Sequence, residues 1–232
     1  MEIYVGTSGW IYDWNLGGSL DWYLANSGLN AVELNASFYR FPLPSQVSSW
    51  ARKNGIRWAV KVHRSITHLR KLSENALMTW RRFHELFRPL DERVDFYLFQ
   101  MPPNFSASDE NLVRVRRFLV ESGLGRRFAI EFRHESWFSR EIAEAITSMG
   151  ATYVSIDSPM GTFIHSSDGV IYLRMHGRSG WYSHDYSMEE LSELVEAIFS
   201  LEPKRVYIFF NNNHWMLENA RRMLELLRRG LG

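Results

Sequence analysis

The residues of this chain that could do chemistry come two apart. In FAIEFRHESWF, Phe128 to Phe138, Glu131 and Arg133 alternate with Ile130 and Phe132. On a strand the acid and the base therefore share one face. The same spacing pairs Glu33 with Asn35 in AVELN, Lys61 with His63 in WAVKVH, and Arg174 with His176 in IYLRMH. YVSID adds Ser155 and Asp157, YLFQMPP adds Gln100, and VYIFFNNN ends in Asn211, Asn212 and Asn213. A carboxylate in apolar surroundings serves as general acid or base, and an arginine there is a forked clamp for phosphate or carboxylate. The 27 basic residues include only four lysines, and of these Lys53, Lys71 and Lys204 lie in polar segments. Lys61 lies inside an apolar strand, where an ammonium group can shift its pKa and act as acid, base or amine nucleophile. The plainer reading of the same groups is a set of buried ion pairs, with Lys61 against Glu33 or Glu131.

The polar groups all stand at the carboxyl ends of their strands, which is where ligand sites lie in parallel α/β folds. The elements that must position them are eight apolar strands alternating with helical segments. Helices are predicted from about Leu20 to Ala25, Ser45 to Lys53, Ser73 to Phe87, Asp109 onward, Ser139 to Met149, and Ser187 to Leu201, the last opening on a Ser187/Glu190 capping box. A final helix carries Ala220, Met223, Leu224 and Leu227. SPMGTFIHSSDGV, after Asp157, has turn residues and no helical period, so a loop or hairpin should replace the sixth helix. The expectation is an irregular TIM-type (β/α)8 barrel, a single domain over residues 1–232.

Loops would bring further groups to the strand ends. Gly6 and Gly9 hinge an aromatic loop with Trp10, Tyr12 and Trp14; FYRFP should expose Phe38, Tyr39 and Arg40; KVHRSITH brings His63, Arg64, Thr67 and His68 near Lys61. RMHGRSGWYSHDYS, with Trp181, Tyr182 and His184, reads as a mobile flap. Stacking on a ligand is the functional reading of Trp10, Tyr39, Trp137 and Trp181; capping the core is the plain one.

Composition narrows the classes. The chain has 232 residues, 45% of them hydrophobic, and no cysteine, which excludes disulfides, thiolate chemistry and cysteine-ligated zinc. A net charge of +1 makes no general case for nucleic acid or membrane. No segment reads as a signal or a membrane span, so a soluble cytoplasmic protein is expected.

In order along almost the whole chain, GTSGW, FYRFP, KVHRSITH, LFQMPP, AIEFRHESW, RMHG and FFNN resemble the motifs of the YecE-like family, domain of unknown function 72. The resemblance implies an irregular TIM barrel distantly similar to the endonuclease IV and xylose isomerase group, with no established reaction. The short first connection and NNNHWM after the last strand depart from the pattern. A metal site of the endonuclease IV kind would draw on Glu33, Glu131, Asp157, His63 and His176, but Lys61, Arg133 and Arg174 at the same depth oppose a divalent ion. No metal or cofactor is expected.

The first functional expectation is an enzyme of hydrolase or lyase type acting on an anionic substrate, a phosphoester, nucleic-acid end or sugar derivative. Lys61, Glu131, Arg133 and His176 are the expected catalytic residues. Trp10, Glu33, Tyr39, Arg40, His68, Gln100, Trp137, Asp157, Arg174, Trp181, Asn211 and Asn212 are the expected binding residues. The alternatives are a non-catalytic nucleotide or single-stranded nucleic-acid binder, and a metal-dependent nuclease.

Overall fold

A computed structural model describes residues 1–230 of the chain. Strands β1 (Glu2–Ser8), β2 (Ala31–Leu34), β3 (Arg57–Lys61), β4 (Val94–Gln100), β5 (Phe128–Glu131) and β6 (Thr152–Ser158) are followed by a short β7 (Gly161–Phe163), then β8 (Val170–Met175) and β9 (Arg205–Phe210). The sheet order is β5-β4-β3-β2-β1-β9-β8-β6, and β6 pairs back onto β5 through Ala129 with Thr152 and Ile130 with Tyr153. Eight parallel strands thus close on themselves as a (β/α)8 barrel, as the alternating sequence predicts. The extra strand, β7, stands where the sequence predicts a loop or hairpin in place of the helix after strand six. β7 folds back antiparallel onto β6, with Ile156 opposite Phe163 and Asp157 opposite Thr162.

Helices α1 (Leu20–Asn26), α2 (Pro44–Ala51), α3 (Glu74–Phe87), α4 (Asp109–Ser122), α5 (Arg140–Ser148), α6 (Met188–Phe199) and α7 (Met216–Arg229) fill the remaining connections. Four of them start on a serine whose hydroxyl accepts a backbone N–H of the first turn: Ser19, Ser108, Ser139 and Ser187. Ser187 and Glu190 form the capping box read from the sequence. At Gly6, a side-chain carbon would stand 2.2 Å from the carbonyl oxygen of Ala31. Only glycine permits this approach of β1 to β2.

By packing, the chain divides into two compact units. One comprises Met1–Glu33, Gly55–Arg57 and the chain from Val154 onward; the other comprises Leu34–Asn54 and Trp58–Tyr153. In the second unit an aromatic layer fixes which way each strand residue points. Tyr97 and Phe99 meet Trp80 of α3, and Phe99 stacks at 4.0 Å on Phe128. Trp58 meets Trp50 of α2. These residues face the helices, so by the period of two Lys61, Leu98, Gln100, Ala129 and Glu131 face the barrel interior. In the first unit Thr7 bonds Tyr23 of α1, which turns Ser8 inward, and Ser8 is in register with Glu33. Ile156, Arg174 and Phe209 are neighbours in register and share that inner face, while Asp157 and Met175 take the outer one.

Candidate functional site

In the unit built on β3 to β5, the inward positions carry charge. Lys61 ends β3 and is only 5% exposed, with its Nζ 4.3 Å from the centre of the Phe38 ring. This is a cation–π contact. Ser37 donates its hydroxyl to the Lys61 carbonyl at 2.6 Å and holds the turn Ala36–Phe38 against the strand end. Phe38 is therefore buried, contrary to its expected exposure; it lies beneath the ammonium group, and only Tyr39 and Arg40 reach solvent. Beyond β3 the chain enters a single π-helical turn, Ser65–Leu69. Such turns recur at functional sites. This one sets His68 edge-on to Phe38 and brings its Nδ1 to 2.9 Å from the Thr67 hydroxyl.

His68 reports the local field. Its pKa is lowered to about 4, first by burial and then by the positive charges of Lys61, Arg133 and Arg64; Glu131 opposes them with the smallest effect. A half-buried imidazole is thereby neutral at physiological pH in a positive environment.

Glu131 ends β5 wholly buried, and its carboxylate is ion-paired with the guanidinium of Arg133. The pairing predicted for these two residues holds, although Arg133 lies just beyond the strand. Beside Glu131, in register on β4, stands Gln100; it is 8% exposed and its Oε1 has no hydrogen-bond partner among the described residues. Trp137 is placed differently from a ligand platform. Its ring stacks between Phe132 at 3.8 Å and Phe105 at 5.8 Å, and its Nε1 donates to the Phe105 carbonyl at 2.6 Å. Both faces and the polar atom are occupied by the core.

The first unit carries a different arrangement. Glu33 and Arg174 are both fully buried, and the Glu33 carboxylate accepts four hydrogen bonds: from Ser8 Oγ at 2.6 Å, Tyr172 OH at 2.7 Å, and Arg174 Nε and Nη2 at 2.9 and 2.6 Å. A carboxylate offers about four such sites, so this knot is closed. Asp157, on the outer face of β6, is likewise occupied. It accepts from Tyr186 OH and Thr162 Oγ1, each at 2.6 Å, and from Arg178 Nε at 3.1 Å. Tyr186 in turn accepts the Gly177 N–H at 2.8 Å and so ties down the segment expected to be a flap.

His176 is buried against Trp181 and Tyr182, and Asn211 approaches its Nδ1 at 3.3 Å. Asn212 donates to the His184 carbonyl and to Asn219 of α7, both at 2.7 Å, which fixes it between loop and helix. Trp10 is buried at 7% exposure, whereas Trp181 is half-buried. Ser8, Tyr172 and Tyr186 also bond the buried carboxylates, although no motif in the sequence marks them. Tyr172 carried a usable signal, standing two residues before Arg174 on one strand face; Tyr186 carried none, because its partner is 29 residues away.

Among the described residues no three His, Asp or Glu side chains gather as a metal ion requires. With the Glu33 and Asp157 carboxylates engaged, the donor set does not fit a divalent cation. Among the described residues no helix is long and apolar enough to cross a membrane.

A family model described as protein of unknown function DUF72 matches residues 4–231. The chain belongs to the DUF72 family. A DUF72 protein of Thermotoga maritima is 29% identical, with 98% of this chain and 100% of that one covered at a TM-score of 0.86. A DUF72 protein of Enterococcus faecalis, 23% identical over 97% and 95% of the two chains, has a TM-score of 0.82. A xylose isomerase domain containing protein of Salmonella typhimurium shares the fold at 13% identity, with 88% and 90% covered and a TM-score of 0.59. No curated protein matches the chain. The motif resemblance and its implied barrel are thus both upheld; neither carries a reaction.

Proposed function

We propose that this DUF72 protein is an enzyme of hydrolase or lyase type whose site, at the carboxyl ends of β3 to β5, takes an anionic substrate. The observation that carries the reading is that two cations, Lys61 and Arg133, stand at the ends of β3 and β5, with the Glu131 carboxylate paired to Arg133. Lys61 and Arg133 are nearly buried, where a charge interacts more strongly than in water. A phosphate or carboxylate at this place gains a forked contact from the guanidinium and a point charge from the ammonium. Glu131 then exchanges a proton with the group being transferred, and Lys61 stabilises the negative charge that develops on the leaving oxygen. His68, neutral, offers hydrogen bonding without adding charge. A cytoplasmic setting belongs to the same proposal.

The test is calorimetric titration of inorganic phosphate into the protein and its Lys61→Met and Lys61→Arg variants, beside turnover measured on a panel of phosphoesters and glycosides. Binding should weaken tenfold or more in Lys61→Met and recover in part in Lys61→Arg. Equal binding by all three removes the anion site. Tight, steeply salt-dependent binding of single-stranded nucleic acid with no turnover on any substrate would replace the enzyme by a binding protein.

A further inference from the structure

The cations at the ends of β3 and β5 are accompanied by an uncharged acceptor that the fold leaves open. Gln100 Oε1, at the carboxyl end of β4, is buried and has no hydrogen-bond partner among the described residues. Nearly all buried polar atoms in folded proteins are partnered, so each exception calls for a physical reason. For Gln100 the surroundings sharpen the question. The residue is more than nine-tenths buried, its strand neighbour in register is Glu131, and both side chains face the barrel interior by the alternation of β4 and β5. A carbonyl oxygen cannot bind an anion. It requires a donor, O–H or N–H, brought by something else.

Resting on the anion site proposed above, we infer that the natural ligand carries an uncharged hydrogen-bond donor next to its anionic group, and that Gln100 reads that donor. The substrate class is a hydroxylated anion, a sugar phosphate or hydroxy acid, in preference to an anion on a bare alkyl chain. Lys61 and Arg133 take the charge, while the Gln100 amide oxygen accepts from the neighbouring hydroxyl. Specificity of this kind works by exclusion: an alkyl analogue displaces water from the amide oxygen and gives it nothing in return.

The experiment compares glycerol 3-phosphate with propyl phosphate, which has the same anion and chain but lacks the hydroxyls, by titration calorimetry against the whole protein. Inorganic phosphate serves as the reference. The expected result is a preference for glycerol 3-phosphate of about tenfold or more. That preference should collapse in Gln100→Met, a substitution close in volume, while phosphate binds the variant as it binds the parent. Equal affinities for the two esters in the parent protein overturn the inference even if Gln100→Met fails to fold, and so does a preference that survives the substitution. If phosphate binds with no discrimination, the role of Gln100 falls and the anion site stands. If phosphate does not bind, both fall.

Discussion

Replacing Glu33 by glutamine keeps the shape of the side chain and removes its charge. In the native knot the carboxylate accepts four hydrogen bonds, two from Arg174 and one each from Ser8 and Tyr172, with Glu33 and Arg174 at zero exposure. The variant leaves a guanidinium in the interior without its counter-charge, and turns an NH2 group toward donors that need an acceptor. Breaking a buried pair from one side costs about 3–5 kcal/mol. For a chain of this length each kcal/mol corresponds to about 2–4 °C in Tm, so Glu33→Gln should melt roughly 10 °C below the parent. Urea unfolding followed by circular dichroism gives the free energy directly. Arg174→Met alone should cost a similar amount, because the carboxylate is then stranded. The double variant should cost less than the two together by about 2 kcal/mol or more, since neither charge remains to be compensated. Strict additivity, or a loss below 1 kcal/mol in Glu33→Gln, would refute the view that this knot is a closed structural element.

Glu131→Gln should lower turnover on an identified substrate about 100-fold if Glu131 transfers a proton; a stability loss of about 3–5 kcal/mol with activity per folded molecule intact would reject that role and leave Glu131 as the counter-ion of Arg133. His68, lowered to about 4, binds its proton more readily in the unfolded chain. Its contribution to stability is therefore complete above about pH 6.5 and declines as pH falls toward 4. Histidine proton shifts followed by NMR check the value, and phosphate in the site should move it upward; a His68 that titrates near 6.5 contradicts the positive field. Tyr186→Phe removes the donor to Asp157 and the acceptor for the Gly177 N–H. It should cost about 1–3 kcal/mol and speed hydrogen exchange at Gly177; unchanged exchange there would show that Tyr186 does not hold the segment.

The barrel was legible in the sequence because its period is local. Alternation within FAIEFR or IYLRMH fixes a face, and a serine three residues ahead of a glutamate fixes a helix start. What alternation cannot supply is the partner across the sheet. Glu33 and Arg174 were both singled out as ligand contacts, yet they are 141 residues apart and bond each other. Asp157 follows the same rule of strand-end polarity as Arg174, but stands one register step away and faces the other side. Trp137 looked available because RHESW is polar around it; the residues that cover its ring, Phe132 and Phe105, lie on one strand end and in a separate loop. Phe38 was expected at the surface for a similar reason, since nothing in FYRFP announces that Lys61 will sit on its ring.

The hairpin that stands in place of the sixth helix gives the protein engineer a point of access. Pro159 and Met160 at its tip are exposed, and the residues beyond them add only a three-residue strand to β6. None of the eight parallel pairings that close the barrel runs through this tip. New chain termini, an affinity tag or an inserted reporter domain can therefore be placed between Pro159 and Met160 with the ring intact. A tether there would also leave the strand ends of β3, β4 and β5 unaltered in sequence, which makes it a suitable handle for immobilising the protein in ligand screens.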